Sequence, residues 1–228
     1  MSYTLARWIV GFVFRVVWRP RIIGVENVPR TGAVIIASNH QSFIDSVVIP
    51  LAVPRRVRFL AKAEYFEGKG LRGRGTAAFF HLIDAVPVRR TGNRDSMRSL
   101  ESALEVLREG TAFGIYPEGT RSRDGRLYRG RTGVGWLALT SGAPVVPVAL
   151  TGTDQVQPVG SSRLRVRPVT VRFGAPVDPA AYAGLPAGRA RRELTDEVMD
   201  RIAALSPQER AEAYNEPPGG EEIDANTV

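Results

Sequence analysis

Residues 33–37 read Ala33-Val34-Ile35-Ile36-Ala37, five apolar residues in a row. A short apolar run of this kind is typical of a β-strand buried on both faces, as in a parallel sheet covered by helices. Polar residues follow at once, in the order Ser38-Asn39-His40-Gln41-Ser42-Phe43-Ile44-Asp45. In such sheets the reactive groups collect in loops at the carboxyl ends of the strands. This stretch therefore predicts the middle of a sheet and a polar site at its edge.

Past Pro20, short β-rich runs alternate with helical stretches. The predicted strands are residues 33–37, 57–61, 83–88, 111–116, 145–150 and 164–173, the last limited to an edge or a bend by Pro168. The predicted helices are residues 95–110, 132–141 and 189–205, and the glycine-rich residues 68–75 are expected to form a mobile loop. Strands that alternate with helices favour an α/β fold, here a single domain with a mostly parallel central sheet covered by helices.

The composition narrows the chemistry. The 228 residues include no cysteine and two histidines, and they are enough for one well-buried domain. The lack of cysteine excludes a disulfide scaffold, a thiolate zinc site, an iron–sulfur cluster and a cysteine nucleophile. With two histidines, we expect no multi-histidine metal centre. The net charge of +8 favours a phosphorylated ligand, a polyanion or an anionic membrane as partner.

Apolar content and charge together divide the chain into three predicted parts. Residues 1–20 contain an apolar stretch that runs at most from Tyr3 to Trp18. It is interrupted by Arg7 and Arg15 and is shorter than the ~20 residues of a spanning helix. We expect it to lie in the membrane interface, and the alternative is an amphipathic helix docked on the core. Residues 21–205 form the main domain. Residues 206–228 have six acids, one base and no apolar period, so this tail is predicted to be disordered.

His40 and Asp45 are the candidate catalytic pair. On one continuous helix, residues five apart point about 140° away from each other and do not meet. They meet if His40 lies in a strand-to-helix turn and Ser42 caps a helix that has Asp45 in its first turn. An Asp bonded to one ring nitrogen fixes the tautomer and leaves the other nitrogen to take a proton. The second histidine, His81, lies among apolar residues and is predicted to be structural.

The sequence shows no recognised nucleophile motif for this base to activate. No Gly-x-Ser-x-Gly elbow or phosphate-binding Walker loop is present. Residues 68–73 have the glycine spacing of a dinucleotide fingerprint, but they do not directly follow a predicted strand and are expected to belong to the mobile loop. A base without a protein nucleophile implies that the substrate supplies the attacking hydroxyl. A second polar loop follows the predicted strand 111–116 and reads Pro117-Glu118-Gly119-Thr120-Arg121-Ser122.

Four blocks of this sequence resemble those of the glycerolipid acyltransferases, the family of 1-acylglycerol-3-phosphate and glycerol-3-phosphate acyltransferases. Residues 39–45 are similar to the first block and residues 117–122 to the third. Ala85-Val86-Pro87-Val88-Arg89-Arg90 is similar to the second block, and Val146-Pro147-Val148-Ala149-Leu150 to the fourth. The blocks occur in the family's order over about residues 30–155, and they are most similar to those of the small bacterial lysophosphatidate acyltransferases.

The resemblance implies a role for each matching residue. His40 would be the general base for the acceptor hydroxyl, with Asp45 as its orienting partner. Arg121 would bind the acceptor's phosphate, and Lys62 and Arg90 match a lysine and an arginine that also serve acceptor binding. Three residues would shape the loop around that phosphate: Glu118, Gly119 and Thr120. The acidic residue that usually precedes the second-block arginine is replaced here by Arg89, which leaves the finer acceptor preference open.

The implied reaction is transfer of a fatty acyl group to 1-acylglycerol 3-phosphate, giving phosphatidate. Acyl-CoA or an acyl-carrier protein would be the co-substrate, with no cofactor and no metal. The implied partners are lysophosphatidate, a long-chain acyl thioester and an anionic membrane, with nucleic acid not expected, and the implied location is the cytoplasmic face of the inner membrane. Two alternatives stay open: the same chemistry on glycerol 3-phosphate, another lysophospholipid or a glycolipid, and a basic module that binds membrane or nucleic acid without catalysis.

Overall fold

The computed structural model describes residues 3–68, 70–88, 95–161 and 163–216. The helices are α1 (Tyr3–Val17), α2 (Asp45–Ala52), α3 (Gly70–Leu82), α4 (Asp95–Arg108), α5 (Gly133–Ser141), α6 (Thr153–Val156) and α7 (Ala187–Leu205). The strands are β1 (Arg21–Ile23), β2 (Val34–Ser38), β3 (Val57–Arg58), β4 (Leu60–Lys62), β5 (Val86–Val88), β6 (Ala112–Ile115), β7 (Val145–Thr151) and β8 (Thr170–Phe173).

The main sheet confirms the predicted α/β fold. Its strand order is β1-β8-β7-β2-β6-β3, and every neighbouring pair is parallel except β7 with β8. Strand β2 lies in the middle, where Ile36 is in register with Gly114 of β6 on one side and Val146 of β7 on the other. The carboxyl ends of β2, β6 and β7 therefore meet at one edge of the sheet.

Strand β2 is buried on both faces, as its apolar run predicts. Val34 and Ile36 point into one layer, where they pack with Ile49 of α2 and Phe14 of α1. Alternate residues of a strand point to opposite faces, so Ile35 and Ala37 point into the other layer. There they pack with core residues of α4, α5 and α7: Leu100, Leu137 and Leu194. The sheet is thus covered by helices on both sides.

Four predicted elements differ from the structure. Predicted strand 57–61 is divided between β3, in the main sheet, and β4, which pairs with β5 in a separate two-stranded sheet. Predicted strand 83–88 is confined to β5, and predicted strand 164–173 to β8, which begins after Pro168. The mobile loop predicted for residues 68–75 is wrong from Gly70 on, where α3 begins. A Cβ on Gly73 would lie 2.2 Å from the carbonyl carbon of Gly68, so these glycines serve close packing.

The disorder predicted for residues 206–228 is wrong for residues 206–216. These residues lie along the loop after β6, where the Leu127 N–H donates to the Glu209 carbonyl at 2.8 Å and the Ala211 N–H donates to the Leu127 carbonyl at 2.8 Å. Backbone hydrogen bonds hold them there, and such bonds leave no apolar pattern in a sequence. Residues 217–228 lie outside the described residues.

None of the helices in the described part of the chain has both the length and the apolar content needed to cross a bilayer. The two sides of helix α1 differ in exposure. Phe14 is buried in the core, whereas Ile9, Phe12, Val13 and Val16 on the same helix are exposed. One side of α1 therefore docks on the domain while the other presents apolar side chains outward.

Candidate active site

Loops that follow β2, β6 and β7 form the site at the carboxyl edge of the sheet. The side chain of Asn39 joins the first of these loops to the last. Its Oδ1 accepts the Leu150 N–H at 2.7 Å, and its Nδ2 donates to the Leu150 carbonyl at 2.9 Å. The amide thus satisfies both backbone groups of a β7 residue, which fixes the point at which the chain leaves β2 and turns to His40.

The next residue, His40, makes a buried pair with Asp45. Its Nδ1 lies 2.9 Å from Oδ2 of Asp45, and the two side chains are 2% and 0% exposed. The same Oδ2 accepts the backbone N–H groups of Gln41 at 2.7 Å and Ser42 at 2.8 Å. A carboxylate oxygen with donors around it acts as an acceptor, so Nδ1 carries a proton, and in the neutral ring Nε2 is then the acceptor nitrogen. The predicted meeting of the two residues is confirmed.

The prediction that Ser42 caps α2 is wrong. Asp45 does lie in the first turn, but the residue before the helix is Ile44, which provides no side-chain cap. The Oγ of Ser42 instead donates to the Gln157 carbonyl at 2.7 Å and so connects the turn to the end of α6, which follows β7. The expected contact runs in the opposite direction: the carboxylate of Asp45, inside the helix, accepts from the N–H groups of Gln41 and Ser42, which precede it.

The imidazole of His40 lies flat on the ring of Tyr116. The two ring centroids are 3.8 Å apart and the planes differ by 8°. The Tyr116 hydroxyl hydrogen-bonds to Oγ of Ser46 at 2.9 Å, and its ring stacks on Phe59 with centroids 5.6 Å apart. A Cβ on Gly114 would lie 2.1 Å from the Phe59 ring, so this glycine makes room for the stack. Each aromatic pair contributes about 0.5–1.5 kcal/mol and holds the imidazole plane in place.

Glu118 joins the His40 turn to the loop after β6. It is 0% exposed, and its two carboxylate oxygens accept the backbone N–H groups of His40 at 3.0 Å and Tyr128 at 2.9 Å. Burial raises the pKa of Glu118 to about 7, against the opposing effect of these two hydrogen bonds. The residue predicted to shape the loop is thus a buried acceptor for two separate chain segments.

Replacement Glu118→Gln is expected to change how stability depends on pH. The pKa of Glu118 is higher in the folded protein than in the unfolded chain, so ionisation favours unfolding as pH rises from about 4.5 to about 7. Relative to Glu118→Gln, the wild type should lose about 2 kcal/mol of unfolding free energy between pH 5 and pH 8. Denaturant titrations of both proteins at a series of pH values measure this difference. Parallel pH curves for the two proteins would contradict the burial argument.

The loop at residues 117–131, here the 117–131 loop, brings Arg121 beside the His40 turn. The N–H of Ser122 donates to the carbonyl of His40 at 2.8 Å, so Arg121 is directly adjacent in the chain to that contact. Gly119 has φ 99°, a conformation that favours glycine, and its N–H donates to the Tyr116 carbonyl at 3.2 Å. The N–H of Gly119 is therefore used within the loop. The Thr120 carbonyl accepts a hydrogen bond from Asn215 at 3.2 Å.

The other two predicted phosphate-binding cations are Lys62 and Arg90. Lys62 ends β4, and its side chain is not among those that the structure describes. Arg90, with its neighbour Arg89, lies outside the described residues. His81, on α3, is exposed and its ring meets Phe66 edge-on, with centroids 5.2 Å apart. His40 is thus the histidine that the fold places at the carboxyl edge of β2.

The arrangement supports proton transfer to and from a bound hydroxyl. An imidazole whose Nδ1 is bonded to the Asp45 carboxylate lies in a buried position, next to a loop rich in arginine. Within the described residues, no cluster of three or more His, Asp or Glu side chains forms a candidate metal site. Two features of the site were not predicted from the sequence. One is the stack of His40 on Tyr116, which the sequence pattern marks only as the end of a strand. The other is the pair of hydrogen bonds between Asn39 and the backbone of Leu150.

Known proteins resemble this chain over most of its length. A family model described as Acyltransferase matches residues 19–151. The 1-acyl-sn-glycerol-3-phosphate acyltransferase of Bacillus subtilis is 28% identical over 187 residues, which cover 81% of this chain and 87% of that protein. The chloroplastic 1-acyl-sn-glycerol-3-phosphate acyltransferase BAT2 of Brassica napus is 33% identical over 63% of this chain, and the match spans only 40% of the plant protein. The crystal structure of the 1-acyl-sn-glycerophosphate (LPA) acyltransferase PlsC from Thermotoga maritima matches with a TM-score of 0.64 and 26% identity, over 91% of this chain and 84% of that one.

Proposed function

Because the chain belongs to the acyltransferase family, we propose that it transfers a fatty acyl group from an acyl thioester to the free hydroxyl of 1-acylglycerol 3-phosphate, giving phosphatidate. The observation that carries this proposal is the buried His40–Asp45 pair beside the 117–131 loop. The names of the Bacillus and Thermotoga relatives support lysophosphatidate as the acceptor. The acyl donor is either acyl-CoA or an acyl-carrier protein.

In the proposed mechanism, His40 is the general base. Nε2 takes the proton of the acceptor hydroxyl while the hydroxyl oxygen attacks the thioester carbonyl, and Asp45 holds the proton on Nδ1 and stabilises the imidazolium that forms. The C–S bond then breaks, and the departing thiolate takes the proton from Nε2. The products are an ester and a free thiol, and no further cofactor is needed. Such a base typically contributes about 10²–10⁴ in rate.

Burial of the base supports transfer over hydrolysis. His40 is 2% exposed, so bulk water has little access to the nitrogen that activates the nucleophile. Exclusion of water protects a thioester that would otherwise be hydrolysed. The stack on Tyr116 and the bond to Asp45 leave the imidazole little freedom to turn away from the acceptor hydroxyl.

Positive charge around the site supports binding of a phosphorylated acceptor. Arg121 is the proposed phosphate ligand, since its guanidinium can donate two parallel hydrogen bonds to phosphate oxygens. Lys62 and Arg90 are proposed to assist. The 117–131 loop contains four further arginines: Arg123, Arg126, Arg129 and Arg131. Arg126 pairs with Asp124, whose pKa is lowered to about 2 by the hydrogen bonds that it accepts from Arg126.

The reaction is tested by its product. Purified protein is mixed with lysophosphatidate in neutral vesicles and one long-chain acyl-CoA, and the lipids are identified by mass. We expect phosphatidate and an equal amount of free CoA. Vesicle binding that falls steeply with salt, without any acylated product, would instead indicate the non-catalytic basic module.

We further propose that the protein attaches to the cytoplasmic face of the inner membrane through the outer side of α1. Phe12 is 61% exposed and Val16 is 52% exposed on this helix. Residues 163–167 read Arg-Leu-Arg-Val-Arg and are exposed, and Trp18 Nε1 donates to the Arg165 carbonyl at 3.0 Å, which joins this segment to the end of α1. Apolar side chains interleaved with arginine suit the interface of an anionic bilayer.

Replacement of both Phe12 and Val16 by Ser is expected to weaken partitioning into anionic vesicles by roughly tenfold to a hundredfold, since each side chain loses apolar area that the bilayer would bury. Sedimentation with vesicles of increasing lipid concentration measures the partition coefficient. Met97→Ser is the matched control, because Met97 is 48% exposed on α4. If the double variant and the control bind equally well, α1 acts only as a docking element of the core.

A further inference from the structure

Residues 206–216, here the C-terminal strap, follow α7 and lie along the 117–131 loop. Three backbone hydrogen bonds join the two segments: Leu127 N–H to the Glu209 carbonyl at 2.8 Å, Ala211 N–H to the Leu127 carbonyl at 2.8 Å, and Arg129 N–H to the Ala213 carbonyl at 3.0 Å. They follow one another along both segments, so the strap pairs with the loop as a neighbouring strand would. An otherwise irregular, arginine-rich loop is thereby ordered by a separate part of the chain.

Gln208 connects the strap to both halves of the site. Its Nε2 donates to the Gly125 carbonyl at 2.8 Å, within the loop. Its Oε1 accepts from Nδ2 of Asn39 at 2.5 Å, next to His40 in the chain. Since Asn39 also holds Leu150 of β7, one glutamine links the loop, the His40 turn and the sheet.

Asn215 holds the loop at its other end. It is 8% exposed, and its Nδ2 donates to the Thr120 carbonyl at 3.2 Å, one residue before Arg121. The Asn215 carbonyl in turn accepts from the Arg131 guanidinium at 3.2 Å. Tyr214, beside it, lies under two arginines of the loop, with Arg129 and Arg131 at 5.3 Å and 5.6 Å from the ring centroid. These two arginines are therefore fixed on the strap.

We propose that the C-terminal strap is a positioning element for the acceptor's phosphate, with Gln208 and Asn215 as its positioning residues. This inference rests on the proposed function, in which Arg121 receives that phosphate. A loop that is ordered before the ligand arrives binds it more tightly, because the cost of ordering is not subtracted from the binding free energy. The strap supplies this order on both sides of Arg121, at Thr120 and at Gly125.

The test measures binding of a short-chain lysophosphatidate, below its critical micelle concentration and without acyl donor, by titration calorimetry. Asn215→Ala should raise the Kd about fivefold, the effect of one lost neutral hydrogen bond, and Gln208→Ala, which loses two, should raise it at least as much. Asn215→Asp should behave like Asn215→Ala, because its carboxylate cannot donate to the Thr120 carbonyl. Glu212→Ala, at an exposed position of the same strap, is the matched control and should leave the Kd unchanged.

Kinetics separate positioning from a general loss of structure. In acyl transfer, Asn215→Ala should raise the KM of lysophosphatidate and leave the KM of acyl-CoA unchanged. Equal increases in both KM values, or an unchanged Kd in both variants, would overturn the proposal. A wild-type chain that binds lysophosphatidate but forms no phosphatidate would contradict the proposed reaction and leave the strap inference standing. A wild-type chain that does not bind lysophosphatidate would contradict both.

A second measurement does not depend on single side chains. Hydrogen exchange in residues 117–131 is compared between a chain that ends at Glu216, which keeps every strap contact described above, and a chain that ends at Leu205. The shorter chain should lose protection at the N–H groups of Leu127 and Arg129, which donate to the strap. Equal protection in the two chains would show that the loop is ordered without the strap and would overturn the proposal.

Discussion

His40→Ala is expected to lower kcat for acyl transfer by about 10²–10⁴ while the protein stays folded and bound to vesicles. Among the described residues at this edge of the sheet, His40 has its Nδ1 held by the carboxylate of Asp45 at 2.9 Å, which leaves Nε2 of the neutral ring to take a proton. Its removal leaves the acceptor hydroxyl without a base. Initial rates with saturating lysophosphatidate and acyl-CoA measure the loss.

His81→Ala is the matched control for that variant. It makes the same substitution at the other histidine, which is exposed on α3. Its rate should stay within about twofold of the wild type, as expected for a surface substitution away from the site. Thermal unfolding of both variants checks that the fold is intact. Near-native turnover in a folded His40→Ala protein would exclude His40 as the base.

Arg121→Glu is expected to raise the KM of lysophosphatidate by at least about tenfold, because it removes charge-assisted hydrogen bonds to the phosphate and places a like charge there. The turnover at saturating acceptor should fall much less, since Arg121 does not take part in proton transfer. The KM of acyl-CoA should stay the same. Initial rates at varied lysophosphatidate and fixed acyl-CoA measure the effect.

Arg123→Glu makes the same charge reversal two residues further along the loop, at an exposed position. The comparison separates a contact to phosphate from the general attraction between a basic loop and an anion. If both variants raise the acceptor KM equally, the loop acts through its overall charge. An unchanged KM in Arg121→Glu would remove the role assigned to that residue.

The sequence was sufficient for the fold class and for the meeting of His40 with Asp45. An unbroken apolar run such as residues 33–37 has few physical solutions other than a strand buried on both faces, and β2 is that strand. A polar loop directly after each buried strand then predicts one shared edge, because neighbouring parallel strands end on the same side. These inferences rest on local patterns, which a single sequence displays.

Long-range contacts were not predictable in the same way. The flat stack of His40 on Tyr116 joins β2 to β6, and nothing in the local pattern of Tyr116 separates it from any other buried strand residue. The order of the C-terminal strap was not predictable for a related reason. Acidic composition and lack of apolar period describe a segment that cannot form its own core, whereas residues 206–216 are held by hydrogen bonds to a loop far away in the chain.

The acceptor panel tests the central claim most directly. Purified wild-type protein and His40→Ala are each offered lysophosphatidate, glycerol 3-phosphate, a neutral lysophospholipid and a glycolipid with one long-chain acyl-CoA, and the products are identified by mass. We expect the wild type to form phosphatidate from lysophosphatidate faster than it acylates any other acceptor, and His40→Ala to form almost none. Absence of acylated product from every acceptor, or equal product from the two proteins, would contradict the account.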